Sequence, residues 1–520
     1  PTIRGRLAYA SLSDLVNDVA LSTQINAPLR GGQPNQYYRF NDYFFFLQDE
    51  WRVNSRLTLT YGLRYESPGN PMANLAKLNA PIVAANNNDP RYRLEPVPPR
   101  DNNNWAPRFG FNFRLRDSMV MRGGYSRTYD VAFINIALNV GSAFPFLFSD
   151  SLPANTPNSF NALRALASNL NVPNPNALVR TLTAGDFRSP YAEQFSFNVQ
   201  QQFRKDWALT VGWVGTKGTA LFNTVDGNPT VIGSSGLQRV DSTIGIRRVR
   251  ANTGSSIYHS LQTSLEKRFS GDFSLGAHYT WSAFIDDGSE IFNPAVNGDV
   301  AVAQDSYNRK AERGRSTFDR PHRVTTTFVY EVPLMKEQKG AVGRVLGGWQ
   351  LSGFLTFQSG APFTPLAGID PGRRVTGIDG LVGNSIRANV NTNLAVASMN
   401  LAEVYANNLT AAALGSFNTL FSNVGPNNNL NNCFAPPVCL GNAGRNLLRA
   451  DGIGNFDIGA FKRIKIVEGQ NLEFRAEFFN LTNTRNFGIP ESRVNSANFA
   501  NQWGTDGGNR RIQLGLRYRW

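Results

Sequence analysis

The sequence predicts an all-β protein, an antiparallel transmembrane β-barrel with about fourteen strands present, short turns on one side and long loops on the other. Three observations lead there. Many segments alternate apolar and polar side chains, the period-2 pattern of a strand with two unlike faces. Their connections alternate between short turns and long loops. The 520 residues include 47 Gly and 36 Phe, with 12% aromatic and only 17% charged residues, a composition suited to strands and turns.

The last strand displays the pattern plainly. Ile512, Leu514, Leu516, Tyr518 and Trp520 share one parity, and Arg511, Gln513, Gly515, Arg517 and Arg519 share the other. A soluble sheet can use such a strand once. A membrane barrel must repeat it, apolar face to lipid and polar face to a wet lumen. Arg511, Arg517 and Arg519 are therefore expected to face inward, because each would cost roughly 2–4 kcal/mol at the lipid midplane.

Taken in order, the chain opens with Ser11-Leu-Ser-Asp-Leu-Val-Asn-Asp-Val, which suits a short helical turn, and a first strand candidate at Ala20–Ala27. Tyr37–Arg52 and Leu57–Ser67 form a hairpin around Val53-Asn-Ser-Arg56. Trp105–Leu115 and Met119–Tyr129 form the next, around Arg116-Asp-Ser118. Gln194–Phe203 turns at Arg204-Lys-Asp206 into the strand of Trp207, Leu209, Val211 and Trp213. Leu261–Leu265 turns at Ser270-Gly-Asp272 into Leu275–Trp281. Val324–Val332 pairs, across a turn near Lys336–Gly340, with Trp349–Phe357. Phe456–Ile466 turns at Val467-Glu-Gly-Gln470 into Leu472–Phe478, and a loop leads to the terminal strand. The intervening long loops lie near 68–104, 131–188, 217–254, 285–317, 360–452 and 486–506. Short turns on the periplasmic side and long loops outside are the habit of outer-membrane barrels. Trp51, Trp105, Trp207, Trp281, Trp349 and Trp520 fall at or near strand ends, where an aromatic girdle belongs. No apolar run approaches the ~18 residues of a membrane-spanning helix.

The formal net charge of +14 is spread along strands and turns rather than gathered into a basic run, which argues against nucleic acid as a partner. His259, His278 and His322 are not spaced as metal ligands and read as structural. No Ser/His/Asp set, paired acids or phosphate loop stands out, so neither an enzyme nor a cofactor is expected. Asp286, Asp287, Asp305 and Asp319 lie in or beside one loop and fit a cation site or, better at this loose spacing, solvated charge. Phe160–Leu170 and Leu394–Phe421 have helical composition within loops and fit lids or plain packing. The only cysteines, Cys433 and Cys439, flank Phe-Ala-Pro-Pro-Val in the longest loop. If that loop is external, a disulfide between them is expected, because the chain crosses an oxidising periplasm. Beginning at Pro1 without an initiator Met, the sequence reads as a fragment or a processed chain.

Ten stretches in order resemble the Oar-like TonB-dependent receptors of the bacterial outer membrane. They begin with Phe46-Leu-Gln-Asp-Glu-Trp-Arg-Val and its continuation Leu-Thr-Leu-Thr-Tyr-Gly-Leu-Arg-Tyr-Glu66, Ala106-Pro-Arg-Phe-Gly-Phe and Met121-Arg-Gly-Gly-Tyr. Pro190-Tyr-Ala-Glu-Gln-Phe, Gly212-Trp-Val-Gly-Thr-Lys-Gly, Tyr258-His-Ser-Leu-Gln and Tyr279-Thr-Trp-Ser follow. Gly348-Trp-Gln-Leu-Ser-Gly, Gly441-Asn-Ala-Gly-Arg-Asn and Phe474-Arg-Ala-Glu-Phe-Phe-Asn-Leu-Thr-Asn483 complete them. The resemblance implies a barrel of about twenty-two strands with an internal plug. Here the plug and TonB box are not recognised and roughly eight strands are wanting, so residues 1–520 are expected to be a partial barrel domain with two unpaired edges.

The implied function is uptake of a bulky nutrient across the outer membrane. The implied partners are outer-membrane lipid, the TonB energy-coupling complex reached through the N-terminal part, the barrel-assembly machinery and an extracellular ligand. A passive porin-like channel and an outer-membrane adhesion or export protein are the alternatives. Leu516, Tyr518 and Trp520 resemble the C-terminal signal read by the assembly machinery, or else plain girdle residues. The inward arginines suit an anionic ligand, or pairing with Glu473 and Glu477 on the neighbouring strand.

Overall fold

The computed structural model describes residues 5–131, 134–168, 172, 174–233, 236–290, 302–368, 386–390, 421–422, 440–467, 469–501 and 508–520. Its main body is one antiparallel sheet in which thirteen strands follow one another in chain order. These are β1 (Tyr43–Arg52), β2 (Leu57–Ser67), β3 (Asn104–Arg116), β4 (Met119–Tyr129), β5 (Tyr191–Arg204) and β6 (Trp207–Asp226). After them come β7 (Arg247–Ser270), β8 (Phe273–Asp286), β9 (His322–Glu331) and β10 (Trp349–Gln358). The path ends with β11 (Ile453–Val467), β12 (Gln470–Phe479) and β13 (Arg511–Arg519). Two short strands branch from this path: Arg180–Thr183 runs parallel to β7, and Gly314–Arg315 pairs with β8.

Register decides what each face carries. Leu59 lies opposite Phe111, Phe111 opposite Gly123, Gly123 opposite Phe197 and Phe197 opposite Trp213. Val211, Thr263, Tyr279, Val324 and Phe357 continue the same face, and Leu351, Ala460, Ala476 and Leu514 complete it. The opposite face carries rows such as Asn112, Arg122, Asn198, Gly212, Gln262 and Thr280. The apolar face is bare, with Leu47 80% and Leu516 69% exposed. In water a contiguous patch of this extent marks a contact surface, and the contact that suits it is lipid.

Aromatics fill gaps in this outer face. Phe111, Phe195 and Phe328 lie directly across from Gly123, Gly215 and Gly353, and their rings occupy the space a Cβ would need. Trp51, Trp207 and Trp349 stand at the short-turn end, whereas Trp105 and Trp281 lie toward the other.

The short turns have local causes. In Ser270-Gly271-Asp272-Phe273 both central residues have positive φ, +55° and +69°, as a hairpin of this twist requires. The Asn54 side-chain oxygen accepts from the backbone N–H groups of Arg56 and Leu57 at 2.8 and 2.9 Å. Between β9 and β10 the expected turn is longer and holds a helix, Gly340–Leu346.

The other connections differ in detail from the sequence reading. Ser22–Pro28 is a strand close to the expected Ala20–Ala27, but it lies outside the main sheet and pairs with Arg6–Ala8 and Leu147–Asp150. Thr23, Ile25 and Ala27 are buried there, so its alternation serves a loop core instead of a lipid face. The large-sheet strand begins at Tyr43, not Tyr37. The helical turn near Ser11 spans Leu12–Val16, with the Ser11 side chain accepting from the Asp14 N–H, and the helix expected at Phe160–Leu170 spans Ser159–Ser168. Pro71–Ala85, inside the Asn/Pro-rich connection, is an unanticipated helix; its Asn70 cap accepts from Met72 and Ala73. Cys433, Cys439 and nearly all of Leu394–Phe421 lie outside the described residues. Among the described residues β1 and β13 pair on one side only, so the sheet is open.

Arginine at Val211, on the outer face of β6, should destabilise the vesicle-inserted protein by roughly 2–4 kcal/mol. Arginine at Thr210, on the inner face, should cost far less. Denaturant titration in lipid vesicles compares the two, and equal costs would reverse the assignment of faces.

Candidate functional site

Two regions carry the polar chemistry: the inner face of the sheet and the lobe built from the long connections. On the inner face the three arginines of β13 do not converge. Arg511 and Arg519 stand at opposite ends of the strand, roughly 26 Å apart along it. The Arg511 guanidinium lies 5.6 Å from the Phe479 ring centre. Arg517 is the register partner of Glu473, and Arg519 Nη2 lies 3.7 Å from the Glu473 carboxylate. Arg475 also pairs with Glu473, and Arg463 Nη2 stands 3.7 Å away. Glu477 faces Gln513 instead. Arg463, Glu473, Arg475 and Arg519 border a cavity of about 480 Å³ at the short-turn end, shared with Glu331, Lys336, Gln350 and Lys465, whereas Arg511 and Arg517 do not line it.

The long connections pack into apolar cores of their own. Met72, Leu75 and Ile82 of the Pro71–Ala85 helix meet Leu94, Ala137, Val140, Phe144 and Phe146. A second cluster joins Phe363, Ala388, Phe421, Leu448, Val494 and Phe499. Arg180 and Arg247 lie side by side through the parallel pairing with β7. Backbone carbonyls hold Arg247: its guanidinium donates to Leu178 O at 2.8 Å and Asn176 O at 3.0 Å. Burial, then the neighbouring Arg247 charge, pushes the Arg180 guanidinium below its ordinary range.

Buried ion pairs tie the β8–β9 connection to the β10–β11 connection. Arg445 pairs with the Asp286 carboxylate and donates to Asp286 O at 2.8 Å, Glu312 O at 2.8 Å and Ser289 Oγ at 3.2 Å. Arg387 pairs with Glu312, and Arg449 reaches the Asp319 carboxylate at 2.7 Å. In the same seam the Asn446 side chain donates to Arg315 O at 2.6 Å and accepts from the Thr364 hydroxyl at 3.1 Å, and its backbone N–H donates to Thr364 Oγ1 at 3.0 Å. This corrects the reading of the loop acids as solvated charge. Asp286 and Asp319 are buried because arginines from a distant loop neutralise them. Asp287 stands 3.7 Å from Arg309, and Asp305 accepts from the Tyr307 N–H at 2.9 Å. Among the described residues no group of three or more His, Cys, Asp or Glu could hold a metal.

Arg445 and Asn446 end the stretch Gly441-Asn-Ala-Gly-Arg-Asn. The sequence marked the stretch, but nothing local in it marked an acid some 160 residues earlier as its partner. The histidines have polar or aromatic neighbours: a His278 ring nitrogen is 2.9 Å from Ser264 Oγ, one of His322 is 2.9 Å from the Tyr279 hydroxyl, and His259 stacks on Trp213 at 5.7 Å.

The model of one protein family, the outer membrane beta barrel domain, matches residues 8–513. The chain belongs to this family. It resides in the outer membrane, and its family is one of membrane barrels rather than of enzymes. No curated protein matches it. Among solved structures, this outer membrane beta barrel is similar to the outer membrane transporter YddB from Escherichia coli at 11% identity and TM-score 0.44, over 96% of this chain and 49% of that one. It is similar to the siderophore receptor PirA from Acinetobacter baumannii at 10% identity and TM-score 0.42, over 96% and 51%. The FrpB iron transporter from Neisseria meningitidis is a third, at 11% identity and TM-score 0.39, over 96% and 52%. The chain thus spans about half the length of these structures.

Arg445→Ala leaves the buried Asp286 carboxylate without its partner, which should cost about 3–5 kcal/mol in the lobe. Hydrogen exchange at residues 312–320 and 441–449 should accelerate while the mid-sheet amides of β5 and β6 stay protected. Unchanged exchange in the lobe would mean that the pair does not hold the two connections together.

Proposed function

We propose that residues 1–520 are the barrel portion of an Oar-like TonB-dependent receptor, which imports a bulky nutrient across the outer membrane. The observation that carries this reading is the tied lobe at the long-connection end. Long connections that pack their own apolar cores and cross-link through buried ion pairs make a preorganised surface on which a ligand can dock. A passive pore needs no such surface. The ten stretches that resemble Oar-like receptors support the same reading, as does membership of the outer membrane beta barrel family.

In this proposal the lobe faces the outside and the tight turns face the periplasm. Energy arrives through TonB and a plug segment encoded upstream. Glu473 engages Arg463, Arg475 and Arg519, so these cations serve the periplasmic rim before any ligand. Arg511 and Arg517 remain candidates for contact with a passing anionic group.

Uptake by cells carrying the full-length receptor should fall to background when the TonB system is inactivated. Uptake that continues unchanged would favour a passive channel, and surface binding without any uptake would favour an adhesion role.

A further inference from the structure

Among the described residues, the link between β9 and β10 is the one at the short-turn end that contains a helix, α1 (Gly340–Leu346). This helix leaves its apolar side chains bare: Val342 is 61%, Val345 65% and Leu346 42% exposed, and the preceding Leu334 and Met335 are each 48% exposed. Its C-terminal end is fixed to the outer, apolar face of the sheet. Trp349 and Lys462 are register partners there, in a row that continues through Phe474 and Leu516. Lys462 Nζ donates to Val345 O at 2.9 Å and Gly347 O at 2.6 Å, and it stands 4.8 Å from the Trp349 ring centre. Trp349 Nε1 donates to the same Val345 O at 3.1 Å. The two side chains thereby satisfy helix-end carbonyls that would otherwise need water.

A lysine on a lipid-facing parity is costly at the midplane but acceptable at the headgroup level, where tryptophan also settles. Lys462 is buried beneath the helix, so the boundary is marked by Trp349 at the short-turn end of the outer face, and α1, held to both side chains, lies at that boundary. Arg344 adds an exposed cation to the same short segment, and the exposed Lys339 adds another that pairs with Glu337. Bare apolar side chains, basic neighbours and continuity with the lipid face together fit an element lying in the plane of the interface.

We propose that α1, with Leu334 and Met335, is an interfacial anchor seated in the phospholipid leaflet at the short-turn end. Val342, Val345 and Leu346 enter the acyl boundary and the cations meet lipid phosphates. The proposal rests on the outer-face reading above but not on transport.

The test uses full-length protein with Cys433→Ser and Cys439→Ser, in nanodiscs of phosphatidylethanolamine and phosphatidylglycerol. An environment-sensitive fluorophore is placed on Val342→Cys, and on Val345→Cys in case the first variant does not assemble. The same probe on Leu514→Cys, mid-face on β13, checks the lipid face itself. The expected result is blue-shifted emission at Val342 and Val345, with intensity lost when the acyl chains carry bromine near the headgroup. Loss at Leu514 with water-like, unquenched emission at Val342 and Val345 would overturn the anchor and leave the barrel face intact. No loss at any site would overturn both. Blue-shifted emission at Val342 and Val345 that brominated lipid leaves untouched would mean that protein, such as a second copy of this chain, covers the helix, and the anchor would fall.

Discussion

The backbone must keep its hydrogen bonds where no water can supply them. In the hydrocarbon region each unsatisfied N–H or C=O costs several kcal/mol, so every strand has to lie beside another along its whole crossing. Among the described residues the eleven inner strands meet that demand on both sides by pairing in chain order, whereas β1 and β13 each keep one open edge. Once a ladder is fixed, its register settles every side chain on it, because a slip of one residue would exchange the two faces. The rows of phenylalanine, leucine and valine outside and of asparagine, glutamine and arginine inside follow from that single constraint.

That constraint also explains which parts were legible in the sequence. The alternation of Leu57, Leu59, Tyr61, Leu63 and Tyr65 has one physical solution, and β2 adopts it. Tight turns announced themselves through Asn54, or through Gly271 and Asp272. The lobe was less readable because its structure rests on contacts between residues far apart in sequence. Ser22–Pro28 alternates like a barrel strand, yet its buried face meets loop residues. The helix at Pro71–Ala85 hides among asparagines and prolines whose composition suggests coil, although Asn70 and Pro71 are sound start signals for a helix. Of the arginines expected to line the lumen, Arg519 was placed next to an acid that the sequence had named, Glu473. The arginines that bind the lobe, Arg387, Arg445 and Arg449, carry no local signal of that role because their acids lie in another loop.

The sheet and the lobe are stabilised in different ways. The sheet relies on ladders and a lipid-matched face, so single changes on its inner side are cheap. The lobe relies on small apolar cores and on charges removed from water. A buried pair of this kind adds little net stability over a well-packed apolar substitute, but breaking it by halves is expensive. What Arg445 and Asp286 provide is a charge-matched contact that fixes how the two long connections fit together.

The ladder between β6 and β7 does not stop where a crossing of about 9–11 residues would end. These strands are 20 and 24 residues long, and their pairing continues to Asp226 and Arg248, past bulges near Leu221. From Trp213 to Asp226 the hairpin runs roughly 40 Å along the strand. One flank of the mouth is thereby a stiff wall, braced by Arg180–Thr183 alongside it. In the proposed receptor this wall would form the fixed side of the mouth, leaving the flanks where strands stop early as the way in for a ligand.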